Sequence, residues 1–275
     1  MNTLHDRTVF ITGASRGIGR AIALACARQG ANVVIAAKSD TPHPKLPGTI
    51  HSVAEEVREA GGQALPLVLD VRDEKQIRQR IDEAGGHFGG IDALINNAGA
   101  IRLTGVENLK VSRYDLMHQV NARAVMACSQ SALPWLKQSD RPHILSLSPP
   151  LNLNTRWFAQ YGPYTTTKYA MTMLSLGMAE EFRRYGIAVN TLWPKTLIAT
   201  AAIEFEVGGP QMMAQGRKPD IMADAAASIL NRSADTMTGQ NLIDEDLLRQ
   251  DGITNFEQYR YVPGDKPLLP DLFLD

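Results

Sequence analysis

Short runs of β-branched and apolar residues alternate with longer helical segments along most of the chain, and this alternation constrains the fold most strongly. The first run, TVFIT (8–12), precedes a predicted helix over 17–29, and the next, NVVIAA (32–37), precedes a helix over 49–62. Near-continuous apolar strands between helices are typical of a parallel sheet covered on both faces. The sequence therefore predicts an α/β fold, a single Rossmann-type domain with a doubly wound parallel sheet.

The alternation continues toward the C-terminus without a change in composition that would mark a domain boundary. Further strands are predicted over 64–70, 93–96, 143–148 and 188–193, and further helices over 74–90, about 112–137 and around 164–168. The tail from about residue 251 is irregular, and we expect it to pack as extended chain against the body or a partner subunit. We expect one domain over residues 1–275, with no additional sterol-carrier domain.

Charge and cysteine content argue against several functional classes. The chain has 28 basic and 29 acidic residues, so no basic stripe is offered to nucleic acid or to an anionic membrane. Its two cysteines, Cys26 and Cys128, lack the spacing of metal ligands. No apolar run reaches the length of a membrane span, and the N-terminus does not resemble a signal peptide. We therefore expect a cytoplasmic protein with no metal, no nucleic-acid partner and no membrane segment.

The stretch TGASRGIG after the first predicted strand suits a bound dinucleotide. Gly13, Gly17 and Gly19 stand between strand and helix, where a pyrophosphate needs a tight turn, close backbone approach and a helix N-terminus. The alternative is a tight turn that binds nothing. The strand before it and the helix after it favour the nucleotide site.

The charges near the second strand indicate which cofactor binds. NAD sites place an acidic residue there to hold the ribose 2′-hydroxyl, whereas this strand runs into Lys38. Arg16 lies in the glycine-rich turn, and two cations suit a 2′-phosphate. Asp40 is a nearby acid that would favour NAD, and Lys38 as an ordinary solvated lysine is the other alternative. The sequence predicts NADP, with NADPH preferred over NADH.

Tyr164 and Lys168 lie one helical turn apart, so their side chains share a helix face. A nearby ammonium favours the tyrosinate and should lower the pKa of the tyrosine from its usual value of about 10. We predict that Tyr164 is a general acid/base tuned by Lys168, the alternative being an ordinary surface pair. Tyr161 and Tyr169 have no lysine four residues on.

In order along the chain, TGASRGIG, NNAG (96–99), Asn121 in the long helix and Tyr164-x-x-x-Lys168 resemble the motifs of the short-chain dehydrogenase/reductases. The resemblance implies a Rossmann-type sheet, NADP(H) and oxidoreduction of an alcohol or carbonyl. Asn121 would hold a water that relays protons to Lys168, and Lys168 would bond the nicotinamide ribose. The alternative for Asn121 is a satisfied buried amide.

The resemblance also carries cofactor contacts onto this chain, including 2′-phosphate contacts for Arg16 and Lys38. The expected contacts are Gly13, Ser15, Arg16, Gly17, Ile18, Gly19, Lys38, Asp70, Val71, Asn97, Ala98, Gly99, Tyr164, Lys168, Pro194 and Thr196. Pro194 and Thr196 are candidates to bind the nicotinamide carboxamide. Lys195 stands between them, where the family usually has glycine, and would reach an anionic substrate group or point to water.

The family's second serine, which donates a hydrogen bond to the reacting oxygen, falls on Pro149 here. Proline has no such donor, so we expect Ser148 to take over, with Asn152, Asn154 or a bound water as alternatives. Without any replacement the chain would be a catalytically weak NADP(H)-binding sensor or scaffold.

Apolar residues in the later part of the chain indicate the substrate. Over 201–216 and beside Tyr164 the sequence places Phe205, Val207, Met212, Met213, Trp157 and Phe158. They predict an adaptable lid over an apolar, lipid-like substrate, the alternative being core or subunit packing. Excess apolar residues on the long helix and the Tyr164 helix predict a homo-oligomer, dimer or tetramer.

Overall fold

The strands of the sheet all run parallel, in the spatial order β3-β2-β1-β4-β5-β6-β7. This is a computed structural model, and it describes residues 4–44 and 46–274. The strands are β1 (Thr8–Thr12), β2 (Asn32–Ala37), β3 (Gln63–Val68), β4 (Ala93–Asn96), β5 (His143–Ser146), β6 (Ala188–Trp193) and β7 (Asn241–Ile243). The predicted α/β fold with one doubly wound parallel sheet is confirmed.

Helices cover both faces of the sheet. They are α1 (Gly17–Ala27), α2 (Ile50–Glu59), α3 (Glu74–Phe88), α4 (Val111–His118), α5 (Ala124–Leu136), α6 (Thr155–Glu181), α7 (Gly209–Met213), α8 (Asp220–Leu230) and α9 (Asp244–Gln250). The described part of the chain has no helix that is both long and apolar enough to cross a membrane. It also holds no cluster of His, Cys, Asp and Glu that could bind a metal ion.

The central strands are apolar throughout because both of their faces are buried. Along β1, Val9 and Ile11 pack into one core with α1 and α8, while Phe10 between them packs into the opposite core with α3 and α5. β1, β2, β4, β5 and β6 are buried at every position. The edge strands β3 and β7 are partly exposed, as expected for strands with one covered side.

The strand order changes direction between β1 and β4. In open α/β sheets, ligands bind beyond the carboxyl ends of the strands at such a switch point. The turns after β1, β4, β5 and β6 all emerge at this edge, so the fold brings together residues that lie far apart in the sequence.

Three parts of the structure depart from the predicted elements. The predicted long helix over about 112–137 is interrupted by a π-helix, Gln119–Arg123, which separates α4 from α5. Helix α6, which carries Tyr164 and Lys168, is kinked at Tyr161, where φ is −134° and ψ is 22°. The elements α8, β7 and α9 were not predicted. The tail is irregular as expected, with one 3₁₀ turn, Glu257–Tyr259.

Candidate active site

A cavity of about 1060 Å³ lies at the carboxyl ends of the strands. Its wall includes residues that follow β1, β4 and β5 and the last residue of β6, so four strand ends contribute to it. Of the predicted site residues, it is lined by Gly13, Ser15, Arg16, Gly17, Ile18, Asn97, Ala98, Gly99, Asn121, Tyr164 and Lys168. Gly19, Lys38, Asp70, Val71, Ser148, Pro194 and Thr196 do not belong to that described lining.

The glycine-rich turn is packed closely against the turn that follows β4. Gly13 has a φ of +69°, and a Cβ atom on Gly19 would lie 2.4 Å from Asn97 Nδ2. Asn97 Nδ2 donates to the carbonyl oxygens of Thr12 at 2.8 Å and Gly13 at 3.0 Å. α1 begins at Gly17 without a side-chain cap, which leaves its first N–H groups for a ligand. This turn therefore fits a pyrophosphate.

Arg16 joins the glycine-rich turn to the segment after β2. Its guanidinium donates to Ser39 Oγ at 2.9 Å and to the carbonyl oxygens of Pro47 at 2.9 Å and Gly48 at 3.2 Å. Asp40 pairs with His51 at 2.8 Å, so the acid that would favour NAD is engaged with α2.

Lys38 and Asp70 lie together at the edge of the site. Lys38 Nζ is exposed and stands 3.8 Å from Asp70 Oδ2. Arg72 binds the Asp70 carboxylate at 2.6 Å, and this hydrogen bond lowers the pKa of Asp70. Asp70 and Arg72 border a second, smaller pocket, while Val71 is buried in the core. The adenine contact expected of Asp70 stays a prediction.

Tyr164 and Lys168 both reach the cavity and are largely buried, with 6% and 7% of their surface exposed. Lys168 Nζ donates to the carbonyl oxygen of Leu147 at 2.5 Å. Burial lowers the pKa of Lys168 to about 7, partly opposed by the carboxylate of Asp271. Burial, together with Asp271, raises the pKa of Tyr164.

The direction of the Tyr164 shift corrects the expectation that Lys168 lowers the pKa of this tyrosine. The physical reason is that burial disfavours the charged form of both groups. Because the pKa of Lys168 falls to about 7, its ammonium is only partly present at neutral pH and compensates little. Tyr164 therefore stays protonated, which suits a proton donor.

Asn121 sits in the π-helix and braces the cavity wall. Its Nδ2 donates to the carbonyl oxygen of Ala100 and to Thr167 Oγ1, both at 2.9 Å, and its Oδ1 accepts from Ala100 N at 2.8 Å. The Asn121 side chain therefore connects the turn after β4 to α6. π-helices are rare and frequently occur at functional sites. The role of Asn121 in a proton relay stays a prediction.

Ser148 points away from the cavity. It is fully buried, its Oγ donates to the carbonyl oxygen of Lys168 at 2.8 Å, and it lies 2.5 Å from Thr172 Oγ1. This geometry does not favour the expectation that Ser148 donates to the reacting oxygen, because the strand exit turns its hydroxyl into α6. Asn152 Nδ2 donates to the Phe273 carbonyl oxygen, and the Asn154 side chain caps α6.

The loop after β6 is held by acids of α9. Lys195 N donates to Asp244 Oδ1 at 2.8 Å, and Lys195 Nζ pairs with Asp246 at 2.7 Å and Glu245 at 3.3 Å. Lys195 thus faces these acids rather than a substrate. The hydroxyl of Thr196 is buried without a hydrogen-bond partner among the described residues, which is compatible with a ligand contact.

Sequence reasoning missed several cavity residues. Thr200 lines the cavity close to Gly17, and Trp193 and Leu147 line it together with Tyr164 and Lys168. In the sequence, the only signal for Thr200 is that it is a polar residue within the largely apolar stretch that follows Thr196. Of the predicted apolar lid, Phe205 borders the cavity, whereas Met213 is buried in the protein. Further apolar residues of the wall include Ile101, Leu109, Leu116 and Met117.

Trp157 and Phe158 pack instead in an aromatic cluster behind Tyr164, together with Phe273 from the C-terminal tail. The predicted packing of the tail against the body is therefore present. The sequence carries no signal that this packing occurs beside Tyr164.

Comparisons with known proteins agree with the site geometry. The sequence profile of the short chain dehydrogenase family matches residues 7–205. Hydroxysteroid dehydrogenase-like protein 2 of Danio rerio is 56% identical over 98% of this chain, which spans 64% of that relative's length. A short chain dehydrogenase structure from Mycobacterium thermoresistibile is 48% identical with a TM-score of 0.93, covering 99% of this chain and 96% of its own.

A more distant structure, a metagenomic short-chain oxidoreductase in complex with NADP, is 25% identical with a TM-score of 0.72. The match covers 88% of this chain and 97% of that one. The profile match spans the glycine-rich turn, the Asn121 helix and the Tyr164-x-x-x-Lys168 pair, which the structure gathers on one cavity. The chain therefore belongs to the short-chain dehydrogenase/reductase family of oxidoreductases.

Proposed function

We propose that this protein is an NADP(H)-dependent oxidoreductase that interconverts an alcohol and a carbonyl on an apolar, lipid-like substrate. The observation that carries the proposal is that Tyr164 and Lys168 share one cavity with the glycine-rich turn. The glycine-rich turn would then bind the pyrophosphate of the cofactor, and the buried Tyr164 would donate the proton in the same cavity. The apolar wall of Ile101, Leu109 and Met117 supports a substrate that is itself apolar.

The preference for NADP rests on two cations of this chain. Arg16 reaches the segment after β2, where the ribose 2′-position of a bound dinucleotide lies, and Lys38 stands at the end of the same strand. Both would make charge-assisted hydrogen bonds to a 2′-phosphate. Asp40, the competing acid, is bonded to the exposed side chain of His51 at 2.8 Å.

Bound NADPH would supply a hydride to the carbonyl carbon of the substrate. Tyr164 would donate the hydroxyl proton to the carbonyl oxygen, leaving a tyrosinate that is reprotonated from solvent. Lys168 would stabilise that tyrosinate when its amine is protonated. Because burial keeps Tyr164 protonated, the site is suited near neutral pH to donate a proton to a carbonyl oxygen.

The experiment is a screen of aliphatic and cyclic carbonyls with NADPH, followed by the loss of nicotinamide absorbance. We expect turnover that disappears in Tyr164→Phe while NADPH binding is retained. Equal Kd values for NADPH and NADH at matched salt would contradict the NADP assignment.

A second candidate is a catalytically weak NADP(H)-binding module. One observation favours it: the family's serine position is Pro149, and the hydroxyl of Ser148 is directed into α6. A protein that binds NADPH tightly but reduces no carbonyl in a broad screen would support this candidate.

We also propose a homo-oligomer and a cytoplasmic location. Met126 on α5 and Met173 on α6 are exposed by 53% and 62%, which supports subunit contacts through these helices. A monomer by light scattering at micromolar concentration would contradict the first proposal, and cell fractionation tests the second.

A further inference from the structure

The end of the tail, Leu269–Leu274, is fastened to the loop that follows β6. Leu197 N donates to the carbonyl oxygen of Leu269 at 3.0 Å, and Asp271 N donates to that of Lys195 at 3.2 Å. Trp193 Nε1 donates to the carbonyl oxygen of Leu272 at 2.9 Å. Because Trp193 itself lines the cavity, these bonds hold the tail directly against the catalytic site.

Phe273 occupies the centre of an aromatic cluster and is 1% exposed. Its ring centroid lies 5.5 Å from that of Trp157, 5.4 Å from that of Tyr169 and 5.9 Å from that of Trp193. The Tyr164 ring lies 6.2 Å away at an interplanar angle of 25°, which is a stacked arrangement. Tyr164 lines the cavity and Phe273 is not among the described lining residues, so Phe273 supports the tyrosine from behind.

This contact has two physical consequences for Tyr164. A stacked ring restricts rotation of the phenol, and proton transfer requires that the hydroxyl be held in one position. The same ring excludes water from the tyrosine, and burial is the main reason why the pKa of Tyr164 is raised.

We propose that Leu269–Leu274 is a working part of the active site and that Phe273 is a positioning residue for Tyr164. This inference rests on the proposed role of Tyr164 as proton donor. It goes beyond that role because it makes catalysis depend on a segment more than one hundred residues away in the sequence, which no motif of the site includes.

The test compares Phe273→Leu with the matched control Phe256→Leu. Phe256 is also a buried aromatic residue that packs against a tyrosine, Tyr259, at a tilted interplanar angle of 43°, but outside the aromatic cluster of Tyr164. Phe273→Leu should lower kcat for carbonyl reduction by about tenfold to a hundredfold, as expected for a misplaced catalytic group. KM and the Kd for NADPH should change little, and the control should keep the parental kcat.

A second measurement does not depend on activity. Phe273→Ala should admit water to Tyr164, so one additional tyrosine should ionise near the ordinary pKa of about 10 in a near-ultraviolet pH titration. That ionisation should be absent from the parent and from the double variant Phe273→Ala/Tyr164→Phe. Phe256→Ala should lower the thermal stability by a comparable amount. Any tyrosine ionisation that it adds should persist when Tyr164→Phe is introduced as well.

The outcomes separate the two proposals. An inactive parent that still shows the new Tyr164 ionisation in Phe273→Ala would remove the proposed function and keep the positioning contact. An active parent for which both Phe273 variants match their Phe256 controls in kcat and titration would overturn the inference.

Discussion

The glycine-rich turn and the catalytic helix face the same cavity, but they are held in place by different means. The turn is fixed by neighbouring backbone: Asn97 bonds the carbonyl oxygens of Thr12 and Gly13, and there is no room for a Cβ on Gly19. Tyr164, the proposed proton donor, is instead packed by a side chain from the other end of the chain, Phe273.

The difference teaches why one half of the site was easier to predict. A turn that must approach a phosphate closely selects glycine, and this selection is visible in a short motif. An aromatic contact places no such restriction on its own local sequence, because many residues could precede and follow Phe273. Substitutions in the turn and around Tyr164 should therefore affect cofactor binding and turnover separately.

The largest effect is expected at Tyr164. Tyr164→Phe removes the proton donor but keeps the ring on Phe273, so kcat should fall by about 10²–10⁴-fold. The Kd for NADPH and the unfolding temperature should stay close to the parental values. Stopped-flow reduction and fluorescence titration measure the two quantities, and retained turnover would remove Tyr164 from the mechanism.

A smaller but still large effect is expected in the glycine-rich turn. In Gly19→Ala the new Cβ would meet Asn97 Nδ2 and the Gly13 carbonyl oxygen at 2.4 and 2.7 Å. We expect the Kd for NADPH to rise by about tenfold or more, with a loss of about 1–3 kcal/mol in the free energy of unfolding.

The matched control for this substitution is Gly177→Ala on α6, where a Cβ would meet nothing within 4 Å. It should raise the free energy of unfolding by about 0.5–1 kcal/mol, because alanine is the better helix former. Equal Kd values for the two alanine variants, measured by calorimetric titration, would show that the turn is not a cofactor site.

Arg16→Ala tests the proposed contact of the glycine-rich turn with the 2′-phosphate of NADPH. The ratio of the Kd for NADH to that for NADPH should fall by about tenfold, the worth of one charge-assisted hydrogen bond. Arg20→Ala is the control, since Arg20 pairs with Glu56 and does not line the cavity. An unchanged ratio in Arg16→Ala would leave Lys38 as the candidate for the 2′-phosphate contact.

Ser148→Ala sharpens the catalytic half. The Ser148 hydroxyl bonds the Lys168 carbonyl oxygen and Thr172, so its loss should cost about 1–3 kcal/mol of stability. The kcat of Ser148→Ala should fall by much less than the roughly 10²–10³-fold that follows removal of a donor to the reacting oxygen. A fall of that size in kcat, with the fold intact by circular dichroism, would show that Ser148 reorients to meet the substrate.

The last effect is on the pH dependence of the free energy of unfolding. Burial raises the pKa of Asp271 to about 7 from its usual 3.8, so the folded state holds this proton where the unfolded state has lost it. The stability that Asp271 contributes is therefore complete below about pH 4 and is lost as the pH rises through about 7.

Asp271→Asn should remove this slope between those limits, as measured by urea denaturation at a series of pH values. Asp265→Asn, which replaces an exposed acid of the same tail, should keep the parental slope. Identical slopes in all three proteins would place Asp271 in solvent contact and weaken its coupling to Lys168.

The sequence alone predicts the class of fold, the positions of the first six strands along the chain and two of the turns that line the cavity. These features follow from short-range rules: apolar runs become buried strands, and glycines between strand and helix allow a ligand close to the backbone. The Tyr164–Lys168 pair belongs here too, because helical spacing alone puts both on one face.

Only the tertiary structure decided where Ser148 points, which groups hold Lys195 and what lies behind Tyr164. Each depends on contacts between segments that are distant in the sequence: Ser148 with α6, Lys195 with α9, and Tyr164 with Phe273. The pKa of Tyr164 was misjudged for the same reason. Spacing on a helix reveals a neighbouring charge, whereas the degree of burial is set by all the chain packed around the residue.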